Sequence, residues 1–516
     1  MSSIEASKMA KKFREYNLDQ QLLVPPDIRD WVPEGHFARF IDDLVMTLDL
    51  DEFEASYKGK DGQPPYDPAL MLKVVLYSFC SGIFSSRRME KSTYDNVGAR
   101  FLAGNQHPDY SSFCNFRKRH PDAVQGLFIQ VLAICREMGL YKLGQVAIDG
   151  TIMKANASKK RCVPIKDLDE LLARDKALVV ELLAKWSSTD AKEKPDEDLP
   201  KKLRQAQNRI AALERAKASV EKRAREKYKK ELQDYQALEA QRLADHEANV
   251  AASVSRRENG VCLREARNGA GLTQRELADK IGLSRSRLAQ IEAGLRLPKP
   301  AEIEALNDIL GITNLCFEPV EPAPFVPAKA PEFQLPDNQV NLTDPESPII
   351  SRGPGISTQG FNAQFAVDVE NQIIVGSLVS SEATDRVLMV PVVQEIIDAN
   401  DGKKPKEALL DSGYFSTAAL ADPILEGIDI YMPPERKPKK FQNPGPMAQR
   451  MREKIASEGG KARRKLRSTT VEPVFGQTKY GKGFQSFLTR GMTNVTTEWT
   501  LVGVAHNIQK ILKRWK

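Results

Sequence analysis

Apolar residues in this 516-residue chain follow a helical period in the first part and a strand period in the last. From about Pro25 to Leu143 they recur at helical spacing: Pro68 opens the apolar-faced "PALMLKVVLYSFCSGI", and "AVQGLFIQVLAICREMGL" follows. Within "PDYSSFCNFRKRH", Ser111 or Ser112 is placed to cap a helix, with Phe113 and Phe116 as buried anchors. Arg117, Lys118, Arg119 and His120 then fall on its exposed side, either as contacts to DNA phosphates or as a solvated basic face. "GQVAIDGT" breaks the helical period, and Val146, Ala147 and Ile148 predict a short buried strand that ends at Asp149 and Gly150.

Residues 165–255 read as charged helix interrupted near Pro195 and Pro200. Leu203, Ala206, Ile210, Leu213 and Val220 fall at heptad-like steps, which predicts a helical hairpin or short coiled coil serving as a spacer or oligomerisation arm. In "GLTQRELADKIGLSRSRLAQIEAG", Thr273 caps one predicted helix, Gly282 makes a turn and Ser284 caps a second, with Leu277, Ala278, Leu288 and Ile291 inside. Eight prolines in residues 319–348 then predict a loose linker.

Past the prolines the period becomes two. "FNAQFAVDV" and "QIIVGSLVS" flank Glu370-Asn371 as a hairpin, with Phe361, Ala363, Phe365, Val367 and Val369 on one face. A helix in "RVLMVPVVQEIIDAN", a buried strand "EALLD" ending at Asp411, a helix from Thr417 and a strand "IDIYM" complete a mixed α/β pattern. A last helix carries Val495, Trp499, Val502, Ile508 and Leu512 on one stripe.

Composition narrows the function classes. No uninterrupted apolar run approaches the ~18 to 20 residues of a membrane span, and "MSSIEASKMAKKFREYN" lacks the apolar core of a secretory signal. The expectation is a cytoplasmic protein without a membrane partner. Six scattered cysteines form no C-x-x-C pair and five histidines lack ligand spacing, so neither a disulfide framework nor a zinc site is expected. The net charge of +7 permits nucleic acid as a partner, and its placement says more: residues 435–467 hold 12 Lys or Arg against 3 Glu. Arg463, Arg464, Lys465 and Arg467 in that run read as phosphate contacts or as a solvated basic loop.

Candidate chemistry rests on acids. Asp149 and Asp411 each end a predicted buried strand, and Glu472 lies in "TTVEPVFGQTKYGKGF", where Thr469 or Thr470 is placed to cap a helix through Phe475 and Lys479. Glu472 and Lys479, seven residues apart, project from one face of such a helix. Three carboxylates suit a pair of Mg²⁺ ions, leaving coordination positions for phosphate and water. Taken singly, each acid reads equally as a turn cap or an arginine partner.

In this order, "VAIDGTIMKANASK", "ALLDSGYFS", "VEPVFGQTK" and "LVGVAHNIQK" resemble the DDE transposases of bacterial insertion sequences. The resemblance covers roughly residues 20–165 and 340–516. It implies an α/β multidomain protein: a helical N-terminal DNA-binding domain and a ribonuclease H-like mixed α/β catalytic core, interrupted by a long helical arm and a helix-turn-helix bundle. The expected divisions are 1–143 for the helical domain, 144–164 and 349–516 for the split core, 165–260 for the arm, 261–315 for the helix-turn-helix and 316–348 for the linker. Asp149, Asp411 and Glu472 are then the metal-binding triad for two Mg²⁺, with Mn²⁺ substituting, and Lys479 matches a lysine that contacts DNA near the cleavage site. Relatives carry a basic residue four positions before the glutamate, where this chain has Ser468 with Arg467 beside it.

Residues 261–315 resemble Xre/Cro-type repressor heads. That likeness implies base readout by Arg285, Ser286 and Gln290, a phosphate contact from Gln274, and action as a homodimer on double-stranded DNA. Two functions follow: a nucleoid-associated transposase acting on terminal inverted repeats and target DNA, or a transposase-derived transcriptional regulator working through the Xre-like head.

Overall fold

The computed structural model describes residues 27–57, 64–188, 198–293, 295–296, 298–311, 324–336, 338–353, 355–434 and 445–515, without the side chains of 249–259, 300 and 352. The first part is helical, as its apolar spacing predicts: α1 (Phe37–Met46), α2 (Asp51–Glu54), α3 (Pro68–Cys80), α4 (Ser86–Asp95), α5 (Val97–Leu102), α6 (Tyr110–Arg119) and α7 (Pro121–Glu137). The start of α3 follows from its sequence. The Asp67 carboxylate accepts from Ala69 N–H at 2.7 Å, and Pro68 takes the first helical position, where no N–H is needed. In α6 the cap is Asp109, which accepts from Ser112 N–H at 2.8 Å, rather than Ser111 or Ser112.

Next come β1 (Gln145–Lys154), β2 (Cys162–Pro164), α8 (Leu168–Ser188), α9 (Leu199–Gly269), α10 (Gln274–Lys280), α11 (Arg285–Glu292) and α12 (Pro300–Leu310). After them lie β3 (Gln339–Asn341), β4 (Ile349–Gly353), β5 (Ile356–Asp368), β6 (Ile374–Ser380), α13 (Met389–Ala399), β7 (Glu407–Leu409), α14 (Thr417–Leu420) and β8 (Asp429–Tyr431). The chain closes with α15 (Pro446–Ala456), α16 (Glu458–Gly476) and α17 (Met492–Trp515).

The main sheet is mixed, in the order β6-β5-β1-β7-β8, with β4 also on β5. β5 runs antiparallel to β1, β4 and β6, whereas β1, β7 and β8 are parallel. The predicted hairpin is β5–β6, turning through 369–373 with Gln372 at φ 58°. α17 lies between β6 and the helices α3 and α7, so the N-terminal helices and the sheet share one hydrophobic core. Trp499 of α17 stacks on Phe365 of β5 with ring centroids 4.0 Å apart, and the Asn507 amide bonds both the N–H and the carbonyl of Ile374. The final motif "LVGVAHNIQK" is therefore a packing element: Asn507 completes the hydrogen bonding of β6 in place of another strand.

The chain divides into two compact units, Met1–Ala216 with Asn338–Lys516, and Lys217–Asp337. In the first, Val179 and Leu182 of α8 meet Leu199, Leu203 and Ala206 of α9, and buried Asp175 pairs with Arg209 at 2.9 Å. β2 and β3 pair through Val163 and Val340, just after the chain re-enters this unit at Asn338.

In the second unit, Leu263, Leu277, Ala278, Leu288, Ile291 and Leu306 form a separate small core. Thr273 and Glu276 close a capping box, Ser284 accepts from Arg287 N–H at 3.2 Å, and Gly282 takes φ +69° at the turn. The described part of the proline-rich segment is not loose. Phe325 packs on His246 and under Arg242, the Ala328 carbonyl accepts from Tyr235, and Phe333 meets Tyr228 edge-on, so 325–333 lies antiparallel along α9. Tyr228, Tyr235 and Arg242 stand at seven-residue steps, a stripe that the aliphatic pattern of the helix hides.

Candidate active site

The sheet brings Asp149 and Asp411 together. The last paired residues of β1 and β7 are Ala147 and Leu409, and each acid lies two positions beyond them. β1 itself continues to Lys154 because β5 still pairs with it, so Asp149 does not end its strand as the sequence suggested. Instead it lies where β7 stops, at a rim of the sheet. The Asp411 carboxylate accepts from Gly413 N–H at 2.7 Å and caps the one-turn helix Ser412–Tyr414. Burial pushes the Asp149 carboxyl up to about 6, with Arg467 opposing the rise and the neighbouring Asp411 charge adding to it.

α16 supplies the remaining groups, with a start different from the sequence expectation. Ser457 caps it, accepting from Gly460 N–H at 3.1 Å, and the helix runs through Pro473 to Gly476. Thr469 and Thr470 lie inside it, their hydroxyls donating to the Lys465 and Leu466 carbonyls. Ser and Thr compete for the backbone equally well as caps or by bonding one turn back, and here packing on β1 and β5 carries the helix past them. Glu472 is exposed. A π-helical turn, Gln477–Gly481, follows and directs the Lys479 ammonium to the Thr151 hydroxyl of β1.

Arg467 corrects the expectation most directly. Rather than facing phosphate or solvent, its guanidinium donates to Asp149 at 2.8 Å and approaches Glu472 at 3.9 Å, with its side chain only 15% exposed. Ser468, at the position where relatives carry a basic residue, bonds back to the Lys465 carbonyl. Arg463 is likewise committed, gripping Glu407 of β7 through two nitrogens at 3.1 and 2.9 Å and lying over Tyr431. Arg464 and Lys465 are exposed; residues 435–444 of the basic run lie outside the described residues.

In α6, Arg117 is a second correction: it is buried, bonded to Ser86 at 2.7 Å and 3.9 Å from the buried Glu498. The spacing held the signal, since Phe113, Phe116, Arg117 and His120 form one i, i+3, i+4, i+7 stripe and share a face. His120 is buried with them, while Lys118 and Arg119 are exposed, the latter over Tyr57. Arg119 and Tyr57 also line a cavity of about 800 Å³ with Tyr66, Asp109, Asn115 and Phe116, and none of its lining residues belongs to the acidic site. In the helix-turn-helix, Arg285, Ser286 and Gln290 are exposed, whereas Gln274 donates to Glu292 at 2.6 Å inside a pair that Glu292 makes with buried Arg267.

Three family models match parts of the chain: Transposase domain (DUF772) over residues 26–119, Helix-turn-helix over 263–314, and Transposase DDE domain over 437–512. No curated protein and no solved structure matches it. Two transposase-domain matches on either side of a helix-turn-helix match support a transposase. More narrowly, they support a DDE transposase of the insertion-sequence kind with an Xre-like helix-turn-helix between its two transposase segments.

A DDE domain implies dependence on a divalent cation. Carboxylate oxygens are the right donors for a hard cation, and Asp149 lies close enough to Asp411 for that charge to add to the rise that burial produces, so added positive charge is favoured there. Among the described residues, no three His, Cys, Asp or Glu side chains stand close enough to hold an ion as they are. Arg467 touches both Asp149 and Glu472 and neutralises them in part. The two aspartates thus fit a cation, and Glu472 is tied to them through an arginine.

Proposed function

We propose that this transposase cuts phosphodiester bonds at the ends of its element and joins the freed 3′ ends to target DNA, with Asp149, Asp411 and Glu472 as its acids. The observation that carries this reading is the equal offset of Asp149 and Asp411 beyond the paired ends of two adjacent parallel strands, with Arg467 and Lys479 bound beside them. Two Mg²⁺ ions, or Mn²⁺ in their place, would supply an activated attacking oxygen and charge stabilisation for the leaving oxygen. Asp149 and Asp411 would hold them, joined by Glu472. Lys479 keeps a positive charge at Thr151, suited to a phosphate near the scissile bond. Arg464, Lys465, Lys118 and Arg119 offer exposed charge to the flanking duplex.

Base-specific contacts fall to Arg285 and Ser286 at the start of α11 and to Gln290 further along it, acting from two copies of the chain on paired ends. The test is cleavage of duplexes bearing the terminal repeats with Mg²⁺ or Mn²⁺. Asp149→Ala is expected to bind these duplexes as the unaltered protein does and to cut none. Full cleavage by that variant would overturn the assignment; operator binding without any cleavage by the unaltered chain would favour a transcriptional regulator.

A further inference from the structure

β5 carries two amides where a strand buried on both faces should be apolar: Asn362 and Gln364 are 1% and 0% exposed. A buried amide is costly unless its hydrogen bonds are met. Both are met by one residue outside every sequence motif, Asp385, in the turn that precedes α13. Its Oδ1 accepts from Asn362 Nδ2 at 2.8 Å and from Gln364 Nε2 at 2.8 Å. Gln364 donates also to Asn362 Oδ1 at 2.9 Å, and its own carbonyl oxygen accepts from the Tyr414 hydroxyl. Tyr414 is fully buried and ends the turn that begins at Asp411.

The same group of side chains reaches both aspartates from behind. Gly150 pairs with Gln364 across the ladder, and a Cβ at Gly150 would collide with the Gln364 amide and come within 2.9 Å of Asp385 Oδ1. A Cβ at Gly413 would meet Asp411 Oδ1 at 3.0 Å and Asp385 Oδ2 at 3.4 Å. Paired residues point to one face of a sheet and neighbours along a strand to opposite faces. Asp149, paired with Phe365, therefore projects from the face opposite Gln364 and Asp385. Asp385 thus does not share a face with Asp149; it bonds the strand amides Asn362 and Gln364 and lies close to the glycines that follow each aspartate.

We propose that Asp385 is a positioning residue that fixes the spacing of Asp149 and Asp411 through Gln364, Tyr414 and the two glycines. This rests on reading Asp149 and Asp411 as the acids of the cleavage site. It also gives a physical reason for the glycine after Asp149 and for the glycine and tyrosine after Asp411: each makes room for, or bonds to, one buried network. The working feature is an oxygen that accepts two amide protons, which asparagine also offers.

The test uses the full chain and four measurements: Mn²⁺ binding by calorimetry, terminal-repeat binding, cleavage rate, and thermal unfolding. Asp385→Ala is expected to weaken Mn²⁺ binding and slow cleavage by roughly 10- to 100-fold, as loss of a residue that orients metal-binding groups does, with DNA affinity unchanged. Asp385→Asn should recover most of both losses. Gln364→Glu, which sets a carboxylate against Asp385, should reproduce them, and combining it with Asp385→Asn should restore binding; this pair carries the test should the alanine variant not fold. Unaltered Mn²⁺ binding in Asp385→Ala, or an asparagine variant as defective as alanine, would overturn the proposal. Full cleavage by Asp149→Ala would instead remove the underlying reading of the site, and the calorimetric comparison would still report on Asp385.

Discussion

Arg467→Ala removes the guanidinium that pairs with Asp149 and exposes the role of charge at the site. The two side chains are 15% and 19% exposed and 2.8 Å apart. Removing one member of a fully buried pair costs about 3 to 5 kcal/mol; with both groups still in partial contact with water, about 2 kcal/mol is the reasonable figure. In the presence of a chelator the variant should therefore unfold at lower temperature than the unaltered chain. Mn²⁺ should narrow the gap, because a cation held by Asp149 and Asp411 supplies the missing charge. If removal of the competing guanidinium tightens Mn²⁺ binding about tenfold, saturating Mn²⁺ should stabilise the variant by about 1.4 kcal/mol more than the unaltered protein. Thermal unfolding of both proteins, each with chelator and with Mn²⁺, measures the four states of this cycle. Equal stability in chelator, or an equal Mn²⁺ increment in both proteins, would refute the reasoning.

Two further outcomes are expected. Arg464→Ala with Lys465→Ala should lower the steepness of log K against log salt for duplex binding by about 2, near 0.9 per released phosphate contact; Arg463→Ala should leave that slope unchanged, since its charge is spent on Glu407. Burial, with the Lys482 charge adding to it, depresses the His506 imidazole from 6.5 to about 3. The folded chain then declines a proton that the unfolded chain accepts, so this contribution is complete above the unfolded value and is lost as pH falls toward 3. Near pH 5 the loss is about 2 kcal/mol. His506→Gln, which keeps a donor for the Gln372 carbonyl, should flatten the acid limb of melting temperature against pH; an unchanged limb would refute the assignment.

Much of the site was legible because it depends on local order along the chain. Apolar strands followed directly by acids marked Asp149 and Asp411, and the glutamate and lysine motif marked Glu472 and Lys479. Arg467 and Arg463 were not legible, since a basic run looks the same whether its members face solvent or reach acids far off in sequence: Arg467 meets an acid 318 residues earlier. The burial of Arg117 is legible in principle through its spacing with Phe113, Phe116 and His120, although its residue type by itself favours solvent. Thr469 and Thr470 misled because a hydroxyl before an apolar stretch is a cap signal, and only packing against the sheet keeps α16 helical on both sides of them.

By itself, the sequence determined what periodicity and short motifs can encode: helices first, a mixed α/β region last, an inserted helix-turn-helix, and acids after apolar strands. Those features need only neighbouring residues, because helix and strand periods and caps act over one or two turns. The tertiary structure decided everything that depends on partners distant in the chain. It set Asp149 and Asp411 at equal offsets on adjacent strands, turned Arg467 from the duplex toward an acid, laid the proline segment along α9, and brought Asp385 behind both aspartates. Such contacts join residues up to hundreds of positions apart, where burial of amides and charges must be compensated in three dimensions and no local pattern records how.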